Sequence, residues 1–156
     1  MSIDMKSIES IEELTGLIGS EIGVSDWLEI TQARIQAFAD ATDDHQWIHL
    51  DVERARNESP WGAPVAHGYL TLSLIPCLNQ QIMQVSGVKA VINYGLDKLR
   101  FPAPVISGAR IRSRLSLLNV TAQDGGRYLA RFSTVIEIEG ADRPACVAEN
   151  LAIYVV

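Results

Sequence analysis

The spacing of apolar residues along the chain changes once, near residue 89, from a helical to a strand period. In the first half Ile8, Ile11, Leu14, Leu17 and Ile18 recur at helical spacing with acidic residues between them, which predicts a short amphipathic helix. WLEI at 27–30 reads as a strand. Thr31 can cap the helix QARIQAFADAT, in which Ile35, Phe38 and Ala39 share one face and which ends near Asp43 and Asp44. Asp51 can cap a further short helix, VERARN. After the turn-forming ESPWGAP, Gly68 opens YLTLSLIPCLNQQIM, which is apolar around most of its circumference and is expected to form a central, buried helix.

From KAVINYG onward the period is two, and FPAP, SGA, DGG and EGADRP mark breaks between long strand-like segments. RIRSRLSLL places Arg110, Arg112 and Arg114 on one face and Ile111, Ser113 and Leu115 on the other. The segments on either side of Asp124, Gly125 and Gly126 read as a long hairpin, and CVAENLAIYVV supplies a last strand. One buried helix with several antiparallel strands predicts an α+β layer fold in which a curved sheet wraps the helix. No repeat or linker divides the chain, so residues 1–156 are expected to form one domain, with 1–24 as an N-terminal helical extension. Such a sheet leaves an edge to protect, and a homodimer is the expected solution.

Composition narrows the function classes. Thirteen Lys and Arg against nineteen Asp and Glu give a net charge of −6, which disfavours a general nucleic-acid binder. Cys77 and Cys146 are far apart and lack CxxC spacing, so neither a disulfide framework nor a zinc ribbon is indicated and a reducing, cytoplasmic location is expected. The acidic start MSIDMKSIESIEEL does not read as a signal peptide. YLTLSLIPCL is broken by Pro76 and is shorter than the ~20 residues of a membrane span.

All three histidines, His45, His49 and His67, fall within 45–67, together with Asp43, Asp44 and Asp51. Taken as metal ligands, His45 and His49 would share a helical face with Asp51 or His67 as a third, but there is no Glu at the base position of an HExxH motif. As an acid/base pair, Asp44 and His49 aimed at one water can remove one proton and return another, with either residue as the acid, as addition of water to a double bond requires. Trp47, Ile48 and Leu50 would keep that site dry. In a purely structural role Asp44 would end a helix and His49 would be a core histidine beside Trp47. PVAHGYL adds a second element. The helix start at Gly68 leaves backbone N–H groups free to hold a carbonyl oxygen that becomes an enolate.

The order DDHQWIHLDVERA, PVAHGYLTLSL, LDKLRFPAPVISGARIR resembles the MaoC-like, type 2 (R)-specific enoyl-CoA hydratase family, in its nodulation protein N-like branch, over residues 25–156. The resemblance implies a hot-dog fold, an antiparallel sheet around a long central helix, usually paired as a homodimer. It implies Asp44 and His49 as the catalytic pair and Gly68 as the thioester oxygen donor. His67, Trp47 and Arg100 become substrate-binding candidates, Arg100 toward coenzyme A phosphates. The implied reaction is reversible hydration of a trans-2-enoyl thioester, carried by coenzyme A or an acyl carrier protein, to the (R)-3-hydroxyacyl thioester without metal or cofactor. Two departures stand out: Gln46 and Trp47 replace the family's Asn-Pro, and Pro76 replaces a serine that supports the aspartate, leaving Thr42, Ser73 and Asn79 as substitutes. The rivals are a hot-dog acyl-CoA thioesterase, disfavoured because 69–83 contains no Asp or Glu, and a non-catalytic acyl-thioester-binding dimer.

Overall fold

The computed structural model describes residues 4–156. Its elements in chain order are β1 (Lys6–Ile8), α1 (Ile11–Thr15), β2 (Glu21–Val24), β3 (Leu28–Glu29), α2 (Gln32–Thr42), α3 (Trp47–Leu50), α4 (Val52–Glu58), α5 (Gly68–Ser73), α6 (Ile75–Asn79), β4 (Met83–Val85), β5 (Ala90–Arg100), β6 (Arg110–Gln123), β7 (Arg127–Ile138) and β8 (Cys146–Val155). The main sheet runs in the order β2-β6-β7-β8-β5, with β3 also on β6, and its pairings are antiparallel. Slips in register between Leu117 and Asn119, between Asn93 and Gly95, and between Leu96 and Lys98 bend it, as bulges do. The curved sheet wraps α5 and α6, the predicted α+β arrangement.

Strand alternation and burial agree. On β6, Ile111, Ser113, Leu115 and Leu117 face inward, while Arg110, Arg112 and Arg114 lie on the outer face. There they meet Glu139, Glu137 and Glu21, and Arg112 also lies over the Trp27 ring at 4.4 Å. Leu70, Leu74, Ile75 and Leu78 of the helix pack against Ile30, Ile35, Val105, Ile111, Ile136 and Cys146. A second cluster joins Ile8, Leu14, Ile22 and Ile82 to Leu115, Leu117 and Phe132 at the other end of the same sheet.

Two expectations need correction. The N-terminal segment is not a helical extension. Ile8 ends a strand that pairs in parallel with β4, Lys6 opposite Met83, and only Ile11–Thr15 is helical within 4–24. Ser10 starts that helix by accepting from the Glu13 N–H at 3.2 Å, and the chain turns at Gly19, whose φ of 84° suits glycine. Residues 1–3 of the expected extension lie outside the described residues.

The central helix is shorter and less buried than its apolar circumference suggested. It breaks at Leu74, because Pro76 lacks the N–H that would continue the α5 ladder and instead fits the start of α6, and it ends at Asn79. Tyr69 is 67% exposed and Cys77 lies on the surface. Exposure continues onto β5, where Val91 is 54% and Tyr94 63% exposed and the strand's outer edge has no partner among the described residues.

Leu78 is fully buried between helix and sheet. Leu78→Ala is expected to lower unfolding stability by about 2–5 kcal/mol through lost transfer energy and a residual cavity. Urea unfolding of both proteins measures the difference.

Candidate active site

Local structure delivers each site residue. The Thr31 hydroxyl caps α2 by accepting from the Arg34 N–H at 3.1 Å, and Asp43, left-handed at φ 57°, ends the helix. This abrupt stop turns Asp44 outward at the head of the next loop. Its carboxylate is exposed and Oδ1 accepts a long 3.4 Å bond from the Gln46 N–H.

His49 lies on the single turn α3 and is only 7% exposed. Its Nδ1–H donates to the Val65 carbonyl at 2.6 Å, which leaves Nε2 as a lone-pair acceptor when the ring is neutral. Burial is the largest influence on its basicity and pushes the pKa below the usual 6.5. The nearby His67 adds to that, while the Val65 carbonyl and Asp44 oppose it. The main-chain carbonyl of His49 is held from α2 by Gln32 Nε2–H at 2.7 Å.

His67 is 3% exposed and immediately precedes Gly68. Its ring stacks on His49 with centroids 3.8 Å apart and 24° between planes, and Phe38 packs on it at 4.9 Å. Its Nε2–H donates to the Asp44 main-chain carbonyl at 3.0 Å, and its buried Nδ1 has no partner among the described residues. His67 thus touches both members of the pair, its ring stacked on His49 and its Nε2–H held by the Asp44 main chain.

One carboxylate oxygen of Asp44 and one ring nitrogen from each of His49 and His67 lie within 4.8 Å of one another. That spacing allows one water to contact Asp44 and His49 together. It fits a metal ion poorly: rings lying face to face aim their in-plane lone pairs along near-parallel planes, whereas an ion at ~2.1 Å needs them to converge. His45, the other ligand of the metal reading, is on the surface with Asp40 at 2.9 Å, which raises its pKa.

Gly68 begins α5, so its N–H has no acceptor within the helix. A Cβ there would meet the Phe101 ring at 3.0 Å, so any larger residue needs that ring to give way. Trp47 is half-buried with the Arg54 guanidinium over its ring at 4.1 Å. Arg100 is exposed at the end of β5; its Nη1–H donates to the Leu99 carbonyl, and it meets no carboxylate among the described residues.

The three substitutes for the missing serine do not reach Asp44. Thr42 donates to the Phe38 carbonyl, Ser73 to the Tyr69 carbonyl, and Asn79 accepts from Ser113. The support comes from His67, whose link to Asp44 spans 23 residues, and the Gln32 contact with His49 spans 17. Neither link has a local sequence signal.

A sheet wrapped around a broken helix, with a carboxylate and two imidazoles gathered beside the helix start, is the arrangement of a hot-dog protein. The chain belongs to the MaoC-like dehydratase family: the model of the MaoC like domain matches residues 13–137. It is 50% identical over 151 residues to the 3-hydroxyacyl-thioester dehydratase Z of Mycobacterium tuberculosis, covering 97% of this chain and 99% of that one. It is 40% identical to the nodulation protein N of Rhizobium meliloti, covering 92% and 90% of the two chains. Among solved structures, the (R)-hydratase of A. caviae involved in PHA biosynthesis matches with a TM-score of 0.64 and 25% identity over 83% of this chain and 95% of that one.

The His49 environment predicts a pH effect with a definite sign. The folded state favours the neutral ring, so the unfolded chain binds more protons below about pH 6.5 and stability falls as pH drops from 6.5 toward the lowered folded pKa. Wild type should therefore lose more stability between pH 7 and pH 5.5 than His49→Gln, as read from urea midpoints.

Proposed function

We propose that the chain is a hydro-lyase that reversibly adds water to a trans-2-enoyl thioester, giving the (R)-3-hydroxyacyl thioester. The observation that carries this reading is the gathering of Asp44, His49 and His67 within 4.8 Å of one another, with Gly68 following His67 at the helix start, and the relatives named dehydratase and (R)-hydratase support it. The substrate is an acyl thioester of coenzyme A or of an acyl carrier protein, with the exposed Arg100 meeting the carrier's phosphates.

The chemistry follows from the geometry. Asp44 and His49 hold one water. His49 Nε2, kept a free acceptor by the Val65 carbonyl, takes its proton as the oxygen bonds to the β-carbon. Electron density moves to the thioester oxygen, where the Gly68 N–H donates, a contribution of roughly 3 kcal/mol if it resembles other oxyanion donors. The proton then passes from the His49 imidazolium to the Asp44 carboxylate and from there to the α-carbon on the same face, which returns both residues to their starting states. No metal or cofactor takes part in this scheme.

We read residues 1–156 as one domain and the active unit as a homodimer joined along β5. The support is an eleven-residue edge strand carrying exposed Val91, Ile92, Tyr94 and Leu96, a surface that an isolated chain leaves open to association. No helix among the described residues is long and apolar enough to cross a membrane. We take the location to be cytoplasmic, which free Cys77 and Cys146 suit.

Purified protein should bleach the ultraviolet absorbance of crotonyl-CoA without releasing thiol. Asp44→Ala and His49→Ala should each slow this by about 100-fold or more. An unchanged absorbance, or full rates in both variants, overturns the reading, and thiol release would favour the thioesterase. Ile92→Asp combined with Tyr94→Asp is expected to convert the dimer to monomer in sedimentation.

A further inference from the structure

A cavity of about 650 Å³ lies between α6, β5 and the inner face of the sheet, and none of Asp44, His49 and Gly68 lines it. From Gly68 to Ile75, the first cavity residue on α6, the helical rise covers about 11 Å. The walls include Pro76, Met83, Val91, Leu115 and Phe132, as an alkyl chain would require.

The polar groups among these walls are not placed at random. Asn79 Oδ1 accepts from the Ser113 hydroxyl at 2.6 Å and Asn150 Oδ1 accepts from the Thr134 hydroxyl at 2.7 Å, and both hydroxyl residues are fully buried. Each amide is thereby turned, with its oxygen engaged toward the sheet and its Nδ2 donors left without an acceptor among the described residues. Neither Nδ2 is a sealed buried atom, so both remain accessible where these residues line the cavity. Tyr154 also lines it. The residue is 6% exposed, its hydroxyl has no partner among the described residues, and burial pushes its pKa up to about 12, so it remains a neutral donor.

We propose that this cavity binds the far end of the acyl chain and that the preferred chain carries a neutral oxygen, a hydroxyl or a keto group, which accepts from Asn79, Asn150 and Tyr154. The inference rests on the enoyl-thioester reading and adds a substrate class to it. A plain alkyl chain would cover these donors without replacing the water they lose, and sites built around hydrogen bonds discriminate strongly against ligands that lack the partner atom. The oxygen of each amide already accepts one bond, from Ser113 and Thr134. An oxygen entering beside Asn79, Asn150 and Tyr154 therefore meets donors, while Gln80, Gln84, Lys89 and Asn93 supply the other polar walls.

The test is calorimetric binding of two saturated thioesters, decanoyl-CoA and 10-hydroxydecanoyl-CoA, to the full-length protein. Neither ligand has a double bond to hydrate, so binding is read whether or not the hydratase reading holds, and crotonyl-CoA turnover by the same preparation reports that reading separately. The hydroxylated chain is expected to bind about tenfold or more tightly than the plain one. Asn79→Leu, Asn150→Leu and Tyr154→Phe should each bring the ratio toward one, and the last removes a single oxygen if the leucine variants fail to fold. Equal or tighter binding of decanoyl-CoA, binding of neither ligand, or an undiminished ratio in the folded variants overturns the proposal.

Discussion

The contact on which the site depends is the 2.6 Å hydrogen bond from His49 Nδ1 to the Val65 carbonyl. It holds the neutral ring in one tautomer, with Nε2 free to accept a proton. Val65 is itself held on both sides, its N–H donating to the Ile48 carbonyl at 3.0 Å and its backbone bridging antiparallel to Ile106, while the Ala66 N–H donates to the Val105 carbonyl at 2.8 Å. The imidazole is therefore anchored to the strand-like segment that leads directly into His67 and Gly68. The carbonyl that anchors His49, the stacked His67 and the helix-start Gly68 are thus spaced by one short stretch of backbone.

His67 extends that arrangement to Asp44. Its ring covers one face of His49 while its Nε2–H holds the loop that carries Asp44. An isolated exposed carboxylate would be free to swing into solvent, and the long bond from Gln46 does little to prevent that. Main-chain support through His67 replaces the side-chain support that a serine at position 76 would provide. Pro76 is thus compatible with an ordered aspartate, and it breaks the helix where the wall of the distal cavity begins.

What the sequence made legible followed its local signals. Thr31 and Asp51 each accept the capping bond their positions promised, the hairpin around Gly125 and Gly126 closes as expected, and the arginine row on β6 coats an outer face. The misreadings occurred where tertiary pairing overrode a local pattern. Ile8 carries the helical period, yet its backbone gains more by pairing with β4 than one further helical turn could give. The apolar circumference of 68–83 suggested burial within one chain, but one face is left open beside the outer edge of β5, which has no partner among the described residues. The Gln32 and His67 contacts bring together residues far apart in sequence, which no periodicity encodes.

Charge shows the same contrast between a total and its placement. The net −6 suggests a surface that repels an anionic thioester, yet Arg110, Arg112 and Arg114 are neutralised by glutamates on the outer face of the sheet. Their positive charge is spent on the fold. Arg100 meets no carboxylate among the described residues, and the adjoining Phe101 ring packs directly on Gly68. Within about ten ångströms, the Debye length near 0.1 M salt, a single unpaired guanidinium outweighs distant carboxylates that solvent ions screen. Local positive charge is therefore a matter of which guanidinium lacks a carboxylate partner, whatever the net total.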